Sequence, residues 1–238
     1  MASFLYIFPH PDDESFGPAP LLARQRREGH DVHLLTLTRG EATSQRHRLG
    51  YSKEQMAEVR HDEMRGVARA LDLTSMEVLA YPDGQLAELN PLELEQTVAD
   101  HIHRTAPDVV LTYPVHGISG HPDHLVTHAV VKRVAAQLRA DGVAYPRRLA
   151  FFTLPEPSDD ADRPEHLQHS PAVLIDAVVP VSDEDLARGH DALDCYVTYQ
   201  NVIEEHQPLR QVTDGVSLEL WGEAHDPPLN DQIGRAHV

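Results

Sequence analysis

The chain has 238 residues, of which 41% are hydrophobic and 24% charged, a composition typical of a folded protein with one sizeable α/β domain. Its net charge of −18 argues against the basic surface that nucleic acid requires and against docking on anionic lipid. It has a single cysteine and no apolar stretch long enough to span a bilayer. We therefore expect a cytoplasmic protein that binds neither nucleic acid nor membranes.

Short runs of apolar or β-branched residues predict the strands of a sheet. They lie at residues 4–8, 32–38, 76–80, 108–113, 148–154, 172–179 and 216–221. Helical apolar stripes alternate with them at residues 19–28 and 53–71, from residue 91 through the apolar positions 92, 94, 98 and 102, after the 121–124 loop to about residue 139, and at residues 183–198. Residues 42–52 and 155–171 have the composition of loops. Alternation of helices with almost wholly apolar strands is typical of a parallel sheet covered on both faces.

The first polar segment that draws attention directly follows the first predicted strand. It reads His10-Pro11-Asp12-Asp13-Glu14 and offers an imidazole and three carboxylates on a loop stiffened by proline. Imidazole and carboxylate together suit a divalent transition metal such as zinc, although either aspartate could instead cap the following helix. In open α/β sheets, chemistry collects at the carboxyl ends of strands, which favours the metal hypothesis.

A second loop far downstream has the same combination of histidine, proline and aspartate. His121-Pro122-Asp123-His124 also follows an apolar strand and opens a helix. Because parallel strands end at the same edge of a sheet, the two loops can meet and share one ion. Three His or Asp ligands with an open position are the pattern of a catalytic metal site, and the spare carboxylate and imidazole could then serve as base and acid for amide or ester hydrolysis. The spacing does not decide which aspartate is the ligand and which is the base.

These motifs resemble the LmbE-like, or PIG-L, zinc-dependent N-acetylglucosamine deacetylases, whose relatives include the deacetylases of mycothiol and bacillithiol synthesis. The resemblance covers residues 4–135 and includes Thr38-Arg39-Gly40-Glu41 and Asp83-Gly84. It implies a Rossmann-like three-layer parallel sheet with helices on both faces and a more irregular C-terminal third. We expect one deacetylase domain over residues 1–238, with the core and metal loops in 1–140 and the edge of the pocket in 141–238.

The resemblance also implies which residues of the two loops are the metal ligands and which is the general base. The metal ligands fall on His10, Asp13 and His124, and the general base falls on Asp12. The implied cofactor is Zn²⁺, with another divalent transition metal as the alternative.

Four further residues take roles from the same resemblance. His121 becomes the acid or oxyanion stabiliser, and Asp123 is expected to orient it. Arg60 and Asp83 match positions that contact the sugar. The residues alone also allow simpler roles, because Arg60 lies one turn from Glu63 on a predicted helix and Asp83 could cap its own turn.

The chain departs from the family pattern at the second loop and near its C-terminus. Ser119 stands where some relatives carry a tyrosine, and residues 196–200 replace the usual His-x-Ser/Thr-Gln signature. Three hypotheses therefore remain. The first is a deacetylase of an N-acetylglucosamine conjugate, which acts on a small molecule, forms a homo-oligomer and serves in low-molecular-weight thiol synthesis. The others are a hydrolase of another acylated amino sugar or antibiotic intermediate, and a non-catalytic metal-binding module.

Overall fold

Seven strands form one sheet in the computed structural model, which describes residues 1–157 and 166–231. They are β1 Ser3–Phe8, β2 Asp31–Thr38, β3 Ser75–Tyr81, β4 Val109–Thr112, β5 Arg148–Thr153, β6 Ala177–Val179 and β7 Val216–Leu220. Their order is β3-β2-β1-β4-β5-β7-β6, and β1 to β5 pair in parallel, whereas β7 is antiparallel to both β5 and β6. The predicted parallel sheet is confirmed for its first five strands, and only β7 runs the other way.

Seven helices accompany the sheet in the described residues. They are α1 Ala19–Arg27, α2 Gln45–Leu49, α3 Lys53–Ala70, α4 Pro91–Thr105, α5 Pro122–Ala140, α6 Asp183–Asp194 and α7 Gln200–His206. Buried residues of α1, α3 and α6 form one apolar cluster with the sheet, and those of α4 and α5 form another. The three-layer arrangement expected from the sequence is therefore confirmed. None of these helices has the length and hydropathy needed to cross a bilayer.

The helix ends follow the local sequence closely. Asn90 caps α4 with a proline at its first position, and Ser182 caps α6 in a reciprocal pair of bonds with Asp185. Three elements differ from the prediction. Residues 45–49 form the short helix α2, and α6 ends at Asp194 instead of residue 198. The strand predicted over 172–179 is confined to Ala177–Val179, because Ala172–Leu174 form a 3₁₀ helix. Of the predicted 155–171 loop, residues 158–165 lie outside the described part of the chain.

The sheet has one topological switch point, between β1 and β4. From β1 the chain proceeds to β2 and β3 on one side, and from β4 it proceeds to β5 on the other. The loops that follow β1 and β4 therefore diverge to opposite faces and leave a crevice at their carboxyl ends, where α/β proteins bind ligands. The two histidine-bearing loops are these two loops.

Candidate metal centre and active site

Asp12 is held in an unusual conformation at the tip of the first loop. Its φ of 87° lies in the left-handed region, which aspartate adopts more readily than most residues. The backbone N–H of Asp12 donates to Tyr196 Oη at 2.8 Å, and Arg60 Nη2 donates to Asp12 Oδ2 at 2.7 Å. Burial raises the pKa of Asp12, although the Arg60 charge opposes that shift. The carboxylate is thus fixed from the α3 side.

Asp13 lies between two imidazoles that come from the two remote loops. Its Oδ2 is 3.6 Å from His10 Nδ1, and its Oδ1 is 3.5 Å from His124 Nε2. Two further donors fix the carboxylate, because the His10 backbone N–H reaches Oδ2 at 2.8 Å and Tyr113 Oη reaches Oδ1 at 2.6 Å. Both imidazole contacts are longer than hydrogen bonds and close to the separation of about 3.3 Å between two ligand atoms on one tetrahedral zinc.

The His124 ring is oriented so that Nε2 faces Asp13. Its Nδ1–H donates to the Gly117 carbonyl at 2.9 Å, and its ring stacks on Tyr113 with centroids 4.1 Å apart. Gly117 has a φ of 64°, and a Cβ there would stand 2.9 Å from His124 Cβ. Burial, together with the nearby positive His10, lowers the pKa of His124 to about 4. The ring is therefore neutral, with the lone pair of Nε2 available as a ligand.

Asp123 corrects an expectation, because its carboxylate orients His10 and not His121. Its Oδ2 lies 3.1 Å from His10 Nε2, and its two oxygens also accept the backbone N–H groups of Gly84 at 2.8 Å and Leu86 at 3.0 Å. Asp83 Oδ1 contacts the same His10 nitrogen at 3.2 Å. Although burial lowers the pKa of His10, these two carboxylates raise it to about 10. The ring is therefore protonated on both nitrogens at neutral pH, with Nε2 toward these carboxylates and Nδ1 toward Asp13, and a cation bound at Nδ1 would displace the Nδ1 proton.

Among the described residues, the His121 side chain makes one hydrogen bond, with the main chain of Asp123. Its Nδ1 accepts the Asp123 backbone N–H at 3.1 Å, so in the neutral ring Nε2 carries the proton. Burial and the neighbouring His10 and His124 lower the pKa of His121, which keeps the ring neutral. Its ring centroid is 4.8 Å from that of His10. His121 is therefore an N–H donor beside the two other imidazoles.

The simpler roles allowed for Arg60 and Asp83 are wrong. Arg60 bonds Asp12 and stacks over the Tyr199 ring at 4.1 Å, while Glu63 accepts instead from the backbone and hydroxyl of Thr198. Asp83 does not cap its own turn. Its Oδ2 accepts the Ala42 backbone N–H at 2.7 Å, which ties the turn after β3 to the loop after β2.

A cavity of about 320 Å³ joins these groups at the sheet edge. Its lining includes every sequence-predicted site residue except Asp123, namely His10, Asp12, Asp13, Arg60, Asp83, His121 and His124. Asp123 is fully buried behind His10. The crevice thus brings all eight predicted residues together, seven on its wall and one directly behind it.

The donor set fits a divalent cation. The ring centroids of His10 and His124 are 5.3 Å apart, and two imidazoles on one tetrahedral zinc have centroids about 5 Å apart. Among the described residues, two groups have ligand atoms that all lie within 4.8 Å of one another, His10 with His121 and His124, and His10 with Asp83 and Asp123. Asp13 belongs to neither group. The second group uses Nε2 of His10, which carries a proton and has no lone pair for an ion. Asp13 faces the other ring nitrogen, Nδ1. Beside His10 and His124, the third ligand is therefore either Asp13 or His121.

Several residues at the site were not singled out from the sequence. Tyr113 ends the strand run before the second loop, so its position at a strand end was an available signal. Tyr196 and Tyr199 come from the C-terminal third, and Tyr196 also donates to the buried Glu14 at 2.7 Å. No spacing in the sequence relates these two tyrosines to the N-terminal loop.

Sequence similarity to known proteins assigns the chain to a protein family. The model of the family PIG-L, GlcNAc-PI de-N-acetylase, matches residues 5–135, which include both histidine loops. The chain belongs to this family. A curated relative, the 1D-myo-inositol 2-acetamido-2-deoxy-alpha-D-glucopyranoside deacetylase of Kineococcus radiotolerans, is 30% identical over 172 residues, which cover 58% of this chain and 46% of the relative. The chain spans about half the length of the curated relatives it matches.

Solved structures show the same fold over nearly the whole chain. The N,N'-diacetylchitobiose deacetylase of Pyrococcus horikoshii has a TM-score of 0.66 at 19% identity. The match covers 92% of this chain and 83% of the deacetylase. The 4-carboxy-2-hydroxymuconate hydratase of Pseudomonas putida KT2440 also has a TM-score of 0.66, at 16% identity. The match covers 94% of this chain and 98% of the hydratase. Since a deacetylase and a hydratase share this fold, an activity has to be argued from the residues of the site.

Proposed function

We propose that the chain is a metal-dependent hydrolase that removes the N-acetyl group from a small N-acetylglucosamine conjugate. The observation that carries the proposal is the Asp13 carboxylate, which faces imidazoles from two remote loops, 3.6 Å from His10 and 3.5 Å from His124. Asp12 lines the same cavity beside them. The curated name of the Kineococcus radiotolerans relative, a deacetylase of an acetamido sugar, supports this choice of reaction.

In this proposal His10 Nδ1, Asp13 and His124 Nε2 hold Zn²⁺ or another divalent transition metal. A bound zinc ion lowers the pKa of water toward neutrality and polarises a carbonyl group. Asp123 and Asp83 serve the ligand His10 by holding its Nε2 proton, as carboxylates do in many zinc sites. This role replaces the expected one for Asp123.

Asp12 acts as the general base that takes the proton of the attacking water. Its carboxylate is fixed by Arg60 and its main chain by Tyr196, so it is already aimed before the substrate arrives. His121, with its proton on Nε2, donates to the oxygen that gains charge or to the departing amine. The two groups lie on opposite loops, which allows them to act on opposite ends of the scissile amide.

The sugar occupies the side of the cavity formed by Arg60, Asp83, Thr43 and Tyr199. Arg60 Nε is buried and has no hydrogen-bond partner among the described residues. In this proposal the enzyme is cytoplasmic, forms a homo-oligomer and serves in the synthesis of a low-molecular-weight thiol. Another acylated amino sugar is the alternative substrate, and a non-catalytic metal-binding module is the alternative of another class.

The test is release of a primary amine and acetate from N-acetylglucosaminyl malate and from N-acetylglucosamine by the Zn²⁺-loaded full chain. We expect turnover that Asp12→Asn lowers by about 10²- to 10⁴-fold without loss of the ion. Asp62→Asn is the matched control, because the Asp62 side chain is 72% exposed on the outer face of α3. Ion binding without turnover of any acylated amino sugar would favour the non-catalytic module.

A further inference from the structure

A second cavity of about 240 Å³ opens from the same site in a different direction. It shares Asp12, Asp13, Phe16 and His124 with the first cavity, so both meet at the proposed ion and base. None of the roles assigned above uses it. Its walls, however, differ in chemistry from those of the first cavity.

The inner wall of this second cavity is apolar. It is formed mainly by Phe16, Tyr113, Ile118, Phe152, Leu154 and Leu167. Four of these are buried, with exposed fractions of 8% or less for Tyr113, Ile118, Phe152 and Leu154. The polar lining residues Ser119, His166, His206 and Gln211 are all exposed, so they form its mouth. The arrangement is that of a pocket for an apolar group that enters past a polar rim.

Gly17 makes room for one wall of this pocket. Its φ is 132°, and a Cβ there would lie 2.3 Å from the tip of the Phe152 ring. Any other residue at this position would collide with the ring and displace it. The absence of a side chain therefore allows Phe152 to keep its place in the wall of the cavity.

The geometry of an amide relates the two cavities to one substrate. The carbonyl carbon has to lie beside Asp12 and the ion, and its two substituents, the amine and the acyl chain, point away from each other. The first cavity offers Arg60, Asp83 and Thr43 to sugar hydroxyls. Between the shared site residues and the polar mouth, the wall of the second is mainly apolar, which suits an acyl chain and would leave hydroxyls unpaired.

We propose that the second cavity binds the acyl chain, and that the preferred substrate carries an N-acyl group longer than acetyl. The inference rests on the proposed function and makes its substrate more specific. A cavity of about 150 Å³ can hold the six carbons of benzene, so one of about 240 Å³ holds a chain of roughly eight to ten carbons, whereas the methyl of an acetyl group leaves most of it empty. The hydrolysis itself is unchanged: water adds its oxygen to the carbonyl carbon, the C–N bond breaks, and the amine leaves with a proton.

The experiment compares N-acetyl, N-butanoyl and N-hexanoyl forms of the same glucosamine conjugate, with amine release as the readout. Burial of each methylene in an apolar site is expected to raise kcat/KM about threefold, so hexanoyl should exceed acetyl by on the order of 100-fold. Octanoyl should raise kcat/KM further, and chains longer than about ten carbons should bring no additional gain, because the cavity is then full.

Leu167→Trp fills the cavity from its less buried side and should reduce the hexanoyl-to-acetyl ratio to near one. Leu92→Trp, on a side chain that is 62% exposed on α4, is the matched control and should keep the wild-type ratio. The ratio does not depend on how much of a preparation is folded, so partial misfolding of either variant does not obscure it.

The outcomes separate the two proposals. Hydrolysis of N-acetyl conjugates with equal or slower hydrolysis of hexanoyl would refute the acyl-pocket inference and leave the proposed deacetylase function intact. A hexanoyl preference that survives Leu167→Trp unchanged would also refute the inference, because the chain would then bind elsewhere. Absence of turnover on every conjugate would overturn the proposed function and the inference with it.

Discussion

Tyr113→Phe is the substitution that probes the proposed ion site most selectively. The Tyr113 hydroxyl is buried and donates to Asp13 Oδ1 at 2.6 Å, while its ring stacks on His124. Phenylalanine keeps the ring and its stacking and removes only the donor. The change therefore leaves every proposed ligand in place but releases one oxygen of Asp13 from the partner that orients it.

Loss of this hydrogen bond should weaken Zn²⁺ binding by an amount that can be reached in two ways. A hydrogen bond to a charged group contributes about 1.5–3 kcal/mol, which corresponds to roughly 10- to 150-fold in an equilibrium constant. Loss of an outer partner of a metal ligand generally costs about 10- to 100-fold in affinity. We therefore expect the Zn²⁺ dissociation constant to rise by about 10- to 100-fold.

The assay is competition for Zn²⁺ with a chromogenic chelator, applied to the wild type, Tyr113→Phe and Tyr6→Phe. Tyr6 is the matched control, since its buried hydroxyl donates to Gln25 Oε1 at 2.9 Å, in the core and away from the site. Tyr6→Phe should lower the free energy of unfolding by about 1 kcal/mol and leave ion affinity unchanged. An affinity of Tyr113→Phe within twofold of wild type would refute the role given to Asp13.

Three other predictions follow from single contacts. Asp12→Asn should lower kcat by about 10²- to 10⁴-fold at unchanged ion content, and an undiminished kcat would remove Asp12 as the base. Asp185→Asn should lower the free energy of unfolding at pH 7 by about 1 kcal/mol. This value is small for a paired buried carboxylate because Arg27 is partly exposed and solvent screens the ion pair. Although burial raises the pKa of Asp185, the bonds from Arg27 at 2.9 and 2.8 Å lower it below its ordinary value. The stabilisation is therefore present at neutral pH, and chemical denaturation should show it fading as the pH falls below about 4. Gly117→Ala should weaken Zn²⁺ binding in the same chelator competition, because its left-handed φ costs about 1 kcal/mol and its Cβ would displace His124. Wild-type affinity would contradict that reason.

The sheet was predictable because its strands are buried on both faces. Runs such as Val109–Thr112 are apolar throughout, and their alternation with striped helices predicts parallel pairing. The direction of β7 was not predictable, since the chain between β6 and β7 carries helices whose path depends on tertiary packing. The short helix α2 has no buried residue, so it has no apolar stripe that a sequence pattern could reveal.

The site was predictable at the level of loops and not of atoms. Strand ends that meet at a switch point bring His10 close to His124, and the ring distance of 5.3 Å agrees with that argument. The contacts between individual atoms depend on side-chain rotamers and on backbone hydrogen-bond donors, and the spacing of residues in the sequence determines neither. Asp123 illustrates this limit. Its side chain turns toward His10 and the backbone N–H groups of Gly84 and Leu86, and only its main chain reaches His121.

The contribution of the C-terminal third depends on long-range packing. At Tyr196 the backbone leaves the helical region, with φ of −85° and ψ of 68°, and its phenol enters the core to meet Asp12 and Glu14. This turn also explains why α6 ends before the residue that its apolar pattern suggested. The contact joins residues 184 positions apart, so only the folded chain reveals it.

The most direct test of the central claim is the ion content of single-ligand variants, measured by elemental analysis after Zn²⁺ loading and gel filtration. We expect about one ion per chain for the wild type and for His121→Ala, and almost none for Asp13→Ala or His124→Ala. If Asp13→Ala retained the ion and His121→Ala lost it, the ion would be held by three imidazoles and Asp13 would not be a ligand.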